Sequence, residues 1–187
     1  MIIQKNDWWQ WHDCVNKEKR TDICNFIEEN HEQTESMNSY ISSLKLTRPV
    51  KLISFKKLKE LTIINDLITE IYHTQKLEFG FDVFPILDNK YMNYNVYDND
   101  IEAKYDWHRD LSNEAYVDMK CTVLINISTE SYEGGQFELF NGEHTLKLLT
   151  HPGDMLMFQS NQYHRVTPVT KGTRKSLALF LEGPKFR

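Results

Sequence analysis

The chain has 187 residues, of which 40% are hydrophobic and 26% are charged, an ordinary composition for a globular protein. No Pro- or Gly-rich break divides the sequence, so we expect one domain over residues 1–187, long enough to bury a core. A net charge of −5 argues against a protein built mainly to hold nucleic-acid phosphates. We therefore expect no nucleic-acid partner.

The cysteines and the first residues bear on the compartment. Cys14, Cys24 and Cys121 are odd in number and form no C-x-x-C pair, which favours free thiols in a reducing environment. The first residues lead into the polar, Trp-rich run Asp7–Trp11, which is typical neither of a signal peptide nor of a membrane span. We expect a cytoplasmic protein that does not associate with membranes.

The first part of the chain carries helical patterns. Apolar residues recur at helical spacing over residues 17–30 and again from about 57 to 76, which predicts an amphipathic helix in each stretch. A strand is expected over 50–55. The intervening stretch 31–48 is polar and rich in Ser, Thr, Asn and Glu, which predicts a mobile loop. Residues from about 1 to 80 thus form a helical support.

From about residue 91 onward, the pattern changes to short strands separated by turns. The predicted strands are Tyr91–Tyr97, Tyr105–His108, Lys120–Ser128, Gln136–Phe140, His144–Leu149, Asp154–Gln159, His164–Pro168 and Thr173–Leu181. Asn141-Gly142 predicts a tight hairpin, because both residues tolerate the left-handed backbone of such turns. Trp8, Trp9 and Trp11 are interpreted as a packing cap. The pattern favours a mainly β protein with supporting α-helices, built as a closed or sandwiched antiparallel barrel.

His108 and Asp110 are the first candidates for a site. On a strand, side chains two residues apart point to the same face, so this imidazole and carboxylate would lie side by side. Joined by a second imidazole, they would form the two-His-one-carboxylate arrangement that holds non-heme Fe(II) and leaves coordination positions open. An isolated His-x-Asp pair is more often an ordinary surface pair, so whether this pair binds a metal depends on the rest of the sequence.

The last predicted hairpin places a cation near a third candidate ligand. A three-residue loop at 170–172, with Gly172 left-handed, would set His164 and Arg174 on one face, about 13 Å apart at about 3.3 Å per residue. A two-residue loop would set them on opposite faces. The planar, always charged guanidinium of Arg174 suits a carboxylate, and Ser176 could donate a further hydrogen bond.

These motifs, in this order and spacing, resemble the Fe(II)/2-oxoglutarate-dependent oxygenases. The similarity is greatest to their prolyl 4-hydroxylase-like branch, including its bacterial and phage-borne members. The residues that carry it are Tyr97, Tyr105-Asp106-Trp107-His108-Arg109-Asp110, Tyr132-Glu133-Gly134-Gly135, His151-Pro152-Gly153-Asp154, His164-Arg165-Val166-Thr167-Pro168 and Gly172-Thr173-Arg174. The resemblance covers about half of the chain. It implies that residues from about 90 to 183 form a double-stranded β-helix, a jelly-roll or cupin-like barrel, as the catalytic core.

The resemblance also implies roles for individual residues. The implied catalytic iron ligands are His108, Asp110 and His164. Arg174 would bind the distal carboxylate of 2-oxoglutarate, with Ser176 as a weaker contributor. Tyr97 would hydrogen-bond the cosubstrate, although a core aromatic is an equal alternative. Leu124 and Val166 would line the pocket wall. The implied cofactors are Fe(II), 2-oxoglutarate and O₂, with ascorbate as an optional reductant.

The activity implied is a dioxygenase that couples oxidative decarboxylation of 2-oxoglutarate to C–H hydroxylation, with a peptidyl proline as the expected target. Collagen-type members have Lys where this chain has Arg174, which places a collagen-like substrate in doubt. One alternative keeps the chemistry but acts on a free amino acid or other small molecule. Another is a non-catalytic barrel that serves as a binding or structural module. Segments 31–48 and 109–119 are the expected cover of the cleft, and the oligomeric state stays open.

Overall fold

Antiparallel strands dominate the structure, a computed structural model that describes residues 6–32, 49–112, 116–149 and 151–186. Most of the predicted loop 31–48 and the central part of the predicted cover 109–119 lie outside these residues. The strands are β1 (Trp8–Trp11), β2 (Val50–Ser54), β3 (Tyr91–Asp98), β4 (Tyr105–His108), β5 (Val117–Asn126), β6 (Glu133–Gly134), β7 (Phe137–Phe140), β8 (Thr145–Leu148), β9 (Met155–Gln159), β10 (His164–Val166), β11 (Val169–Lys171) and β12 (Thr173–Pro184).

Among the described residues, three α-helices precede most of the sheet. Helix α1 (Lys17–Asn30) begins where the side chain of Asn16 accepts a hydrogen bond from a first-turn backbone N–H. The predicted helix 57–76 is wrong as one element, because it consists of α2 (Phe55–Leu58) and α3 (Thr62–Thr74). Leu61, between them, has an extended backbone, whereas the apolar spacing runs on without interruption. A π-helical turn and Gly80, in the left-handed conformation, end α3.

The strands form two facing sheets and one small ribbon. The major sheet has the order β1-β9-β5-β12-β3-β2, and the minor sheet has the order β4-β10-β7-β8. Strands β6 and β11 pair separately as a two-stranded ribbon. Each of the eight strands predicted after residue 90 is present, and so is the hairpin at Asn141-Gly142, where Phe140 pairs with Thr145. The fold is mainly β, a double-stranded β-helix, as expected.

The topology bears on two interpretations of the sequence and corrects the second of them. The tryptophan run forms β1, an edge strand paired with β9, although Trp8 and Trp11 still pack against the core. The predicted hairpin between His164 and Arg174 is wrong, because β10 lies in the minor sheet and β12 in the major sheet. Gly172 does adopt the left-handed conformation, but there it leads the chain from the β6–β11 ribbon into the major sheet.

Alternation along the major sheet separates the core from a cavity. On β12, Leu177 and Leu179 face a large apolar cluster that also contains Ile23 of α1 and Ile71 of α3. The intervening residues, such as Ser176, line a cavity between the sheets. A second apolar cluster fills the rest of the inter-sheet space. The helices therefore cover one face of the major sheet and leave the other for a site. Within the described ranges, no helix is both long and apolar enough to cross a membrane.

Gly134 and Gly142 allow the cost of steric crowding to be distinguished from the cost of a strained backbone. Gly134 (φ +74°) and Gly142 (φ +96°) both have left-handed backbones, but a Cβ at Gly134 would collide with the carbonyl oxygen of Pro168, whereas none of the described atoms lies within 4 Å of a Cβ at Gly142. Gly142→Ala should reduce the free energy of unfolding by about 1–2 kcal/mol through backbone strain alone. Gly134→Ala should cost at least about 1 kcal/mol more. Urea denaturation of both variants measures the difference, and equal losses would contradict this account.

Candidate functional site

Strand pairing brings two candidate ligands together. His108, at the end of β4, and His164, at the start of β10, are direct partners in the antiparallel ladder, and their ring centroids are 4.1 Å apart. Asp110 lies just beyond β4 rather than on it, so strand alternation does not position its side chain. Instead, its backbone N–H donates to the carbonyl oxygen of Ser160 at 2.9 Å. The tertiary structure thus places the carboxylate beside both imidazoles.

These three side chains form a compact donor set. The Nε2 atom of His164 lies 3.4 Å from Oδ2 of Asp110, and the Nε2 atom of His108 lies 3.7 Å from Oδ1. One ligand atom from each residue falls within 4.8 Å of the others, the only such group of three in the described part of the chain. Two imidazole nitrogens and one carboxylate oxygen are the donors of the non-heme Fe(II) facial arrangement.

Backbone carbonyls orient both imidazoles. His108 Nδ1 lies 2.7 Å from the carbonyl oxygen of Asp106, and His164 Nδ1 lies 3.0 Å from that of Gln162. A carbonyl oxygen can only accept, so each Nδ1 carries the proton and each Nε2 keeps its lone pair for a metal. Burial lowers the pKa of His164 to about 4, so this imidazole is neutral at physiological pH.

The buried hydroxyl of Thr122, which the sequence interpretation missed, orients the carboxylate and is itself in contact with the buried hydroxyl of Ser160. Thr122 Oγ1 donates to Asp110 Oδ2 at 2.7 Å and lies 2.9 Å from the hydroxyl of Ser160. Both hydroxyl residues are buried. Thr122 is two residues before Leu124 on β5 and shares its face, so strand alternation from a predicted pocket residue was the signal that could have revealed it.

A cavity of about 260 Å³ extends from this donor set between the two sheets. The predicted site residues all line it, together with the predicted wall residues: Tyr97, His108, Asp110, His164, Arg174, Ser176, Leu124 and Val166. Arg174 and His164 reach the cavity from different sheets, so they do not share one ladder face as the hairpin hypothesis required. The structure brings the predicted residues together in one cavity, although the predicted route to them was wrong.

Arg174 is the electrostatic feature of the cavity. Its side chain is only 1% exposed, and Nη1 donates a long 3.4 Å hydrogen bond to the hydroxyl of Ser176. Nε and Nη2 have no hydrogen-bond partner among the described residues. Tyr97, its partner in the β3–β12 ladder, places a ring centroid 5.2 Å from the guanidinium carbon. A buried cation without a counter-charge is unfavourable, so this end of the cavity suits a carboxylate.

The fold and site together define a class. A double-stranded β-helix that presents two imidazoles and a carboxylate in an inter-sheet cavity has the donor set of the non-heme iron oxygenases. Residues 92–182 match the sequence model of the 2OG-Fe(II) oxygenase superfamily. This part of the chain belongs to that superfamily, and the family resemblance of its motifs is confirmed.

Three known proteins illustrate the similarity. A PKHD-type hydroxylase from Rhizorhabdus wittichii is 30% identical over 92 residues, which are 49% of this chain and 40% of that protein. A Pseudomonas putida prolyl-4-hydroxylase superimposes with a TM-score of 0.67 at 12% identity, covering 95% of this chain and 92% of the other. A Trichoplax adhaerens prolyl hydroxylase, solved with a hypoxia inducible factor peptide fragment, gives 0.68 at 15% identity, covering 94% and 83%. The two superpositions establish the fold.

The buried neutral His164 should make the metal-free protein sensitive to acid. In the unfolded chain its imidazole titrates near the ordinary pKa of about 6.5, whereas in the folded protein the pKa is about 4. Between these values only the unfolded state takes up the proton, so the free energy of unfolding falls as the pH drops, by up to about 3 kcal/mol. Denaturant titrations from pH 7.5 to pH 4 with a chelator present should show less of this loss in His164→Gln. The loss should remain in His144→Gln, a change at an exposed histidine.

Removing the Thr122 hydroxyl should weaken divalent metal binding. Thr122→Val keeps the shape but removes the hydroxyl that donates to Asp110, and we expect a loss of about 10- to 100-fold in affinity, as for other residues that orient ligands. Thr122→Ser keeps a hydroxyl and should retain most of the affinity. Competition with a metal-sensitive dye under anaerobic conditions measures both variants. Equal affinity in Thr122→Val and the wild type would refute the orienting role.

Proposed function

We propose that this chain is an Fe(II)- and 2-oxoglutarate-dependent hydroxylase, with a peptidyl proline as its target. The observation that carries the cofactor assignment is the shared cavity. It contains the His-Asp-His donor set and a buried arginine with two guanidinium nitrogens that lack partners among the described residues. A metal chelated by a dicarboxylate would satisfy both. The PKHD-type hydroxylase aligns over only 40% of its length, so the activity is inferred for this chain rather than transferred.

The residues present fit the implied groups. His108, Asp110 and His164 would hold the iron through two neutral nitrogens and one anionic oxygen. Arg174 would bind the distal carboxylate of 2-oxoglutarate through its unpartnered Nε and Nη2 atoms, with Ser176 and Tyr97 beside it. When bound, the iron would activate O₂, and 2-oxoglutarate would supply two electrons as it is oxidised to succinate and CO₂, so that one oxygen atom enters succinate and the other hydroxylates a C–H bond. Ascorbate would serve as an optional reductant.

The protein's own contribution is to orient the groups and exclude water. Backbone carbonyls fix the tautomers of the histidines, and Thr122 fixes the carboxylate, so the donors need little rearrangement when metal binds. Apolar side chains of Leu124 and Val166 line the cavity near the predicted ligands. They lower the local polarity, which strengthens the attraction between Arg174 and a carboxylate.

Two observations support a prolyl target. The curated relative is a PKHD-type hydroxylase, and both superimposed structures are prolyl hydroxylases, one of them with a peptide bound. The cavity of about 260 Å³ is below the usual range of about 300–1,000 Å³ for sites of drug-sized ligands. A cavity of this size favours a small target group over a large molecule. A free amino acid or other small substrate would also fit, and it is the alternative that keeps the same chemistry.

A non-catalytic barrel is the remaining alternative. It predicts no need for an intact donor set, yet the three side chains are assembled and individually oriented. Iron content after purification separates this alternative from both enzyme functions.

We further propose that residues 1–187 act as a single domain and that the protein works in the cytoplasm. Cys14, Cys24 and Cys121, all free thiols in the structure, suit a reducing compartment.

An anaerobic titration with Fe(II) and 2-oxoglutarate tests the cofactor assignment. The wild-type protein should develop a visible charge-transfer band that requires both additions. His108→Ala should abolish the band, because one of three metal donors is lost. Arg174→Ala should need at least about tenfold more 2-oxoglutarate, because a charge-assisted hydrogen-bond pair is lost.

His144→Ala, at an exposed position, is the matched control and should behave like the wild type. No band in a folded wild-type protein would reject the oxygenase function and favour the binding module. A band that survives in His108→Ala would reject the assigned ligands while leaving the metal chemistry open.

A further inference from the structure

A second arginine lies where the cavity meets the surface. Arg109 stands between the candidate ligands His108 and Asp110 in the chain, lines the cavity and is exposed. Its guanidinium carbon lies 5.0 Å from the ring centroid of Tyr163, the residue before His164. An arginine over an aromatic face is held by a cation–π interaction, which restricts its motion without neutralising its charge. A cation is therefore fixed at the opening, next to both segments that carry the ligands.

The charge of Arg109 has no counter-charge in the described part of the chain, where no carboxylate oxygen lies within ion-pair distance of it. Arg165, on β10 beside His164, differs in this respect, and it is not among the residues that line the cavity. It also stacks on an aromatic ring, that of Trp107 at 4.8 Å, but its Nε donates to Glu138 at 2.7 Å. Of Arg109 and Arg165, only Arg109 lacks an ion-pair partner among the described residues.

The charges inside the cavity do not balance the positive charge of Arg109. Fe(II), the Asp110 carboxylate and two neutral imidazoles together leave one positive charge, and Arg174 adds another. The 2-oxoglutarate dianion balances both. Asp110 is the only acidic residue among those that line the described cavity, so the charge of Arg109 remains after the cofactors are bound. The assembled site would thus attract an anionic group at its opening.

We propose that Arg109 is a substrate-recognition residue and that the primary substrate presents a carboxylate to it. This inference rests on the proposed oxygenase function and adds the chemical class of the substrate. The carboxylate would come either from an acidic side chain beside the target residue of a peptide or from a free amino acid. Tyr163, which holds Arg109, and Leu111, which lines the cavity, are 48% and 55% exposed and offer apolar contacts beside Arg109.

Matched probe pairs that differ only in charge test the proposal. One pair is a proline-containing peptide with Glu or Gln beside the proline, and the other is free proline or prolinamide. Succinate formation by the Fe(II)- and 2-oxoglutarate-loaded protein gives kcat/KM for each probe. In at least one pair, the carboxylate probe should exceed its amide counterpart by about tenfold or more, the usual loss when a charged hydrogen-bond partner is removed. The pair that responds distinguishes a peptide from a free amino acid.

Three variants assign the effect to Arg109. Arg109→Gln should remove the preference for the carboxylate, and Arg109→Lys should keep part of it, because the charge remains but the bidentate geometry is lost. Arg165→Gln, at a stacked arginine that does not line the cavity, should keep the full preference. The visible Fe(II)–2-oxoglutarate band is recorded first for each variant, so that a defect in cofactor binding is not mistaken for a defect in substrate recognition.

Several results would overturn the proposal. These are equal rates for the two members of each pair, a preference that persists in Arg109→Gln, or no response to any carboxylate probe while the band forms normally. Absence of the band in the wild-type protein would instead overturn the oxygenase function and this inference with it.

Discussion

The pairing of β4 with β10 is the contact on which the site depends. It sets His108 directly opposite His164, and each imidazole is then oriented by a carbonyl oxygen two residues earlier in its own segment. A shift of the pairing by one residue would turn one of these side chains to the other face of the sheet. Asp110 joins them through its contacts with Ser160 and Thr122, so three separate parts of the chain must meet before a metal could bind.

The major sheet connects this site to the stability of the protein. On β12, alternate residues face the helices and the cavity, so one strand supplies both core leucines and Arg174. Burying an ion costs several kcal/mol even after relaxation. Each fully buried leucine contributes about 1.5–3 kcal/mol. Burial of the leucines on the apolar face therefore offsets the free-energy cost of burying the guanidinium of Arg174. Its charge stays available to a ligand.

The site was more predictable than the topology. His108, Asp110, His164 and Arg174 were predicted from motif spacing, and all four line one cavity. The predicted hairpin between the last two was wrong, because spacing reports which residues alternate but not which sheet a strand joins. Apolar spacing also could not reveal where a helix is interrupted. The spacing continues across Leu61, so one helix was predicted over 57–76 where the structure has a break. Thr122 carries no motif of its own, so its role became visible only through its contact with Asp110.

The sequence by itself determined the class of fold, and its motifs nominated the donor set and the arginine, because the strand pattern, turn residues and ligand chemistry are local properties of the chain. Only the tertiary structure decided that His164 and Arg174 face one cavity from different sheets. It also decided that Arg174 is buried with two unpartnered nitrogens and that Arg109, unlike Arg165, has no carboxylate beside it in the described part of the chain. These properties depend on contacts between distant segments, and burial and charge balance are set by such contacts rather than by spacing along the chain.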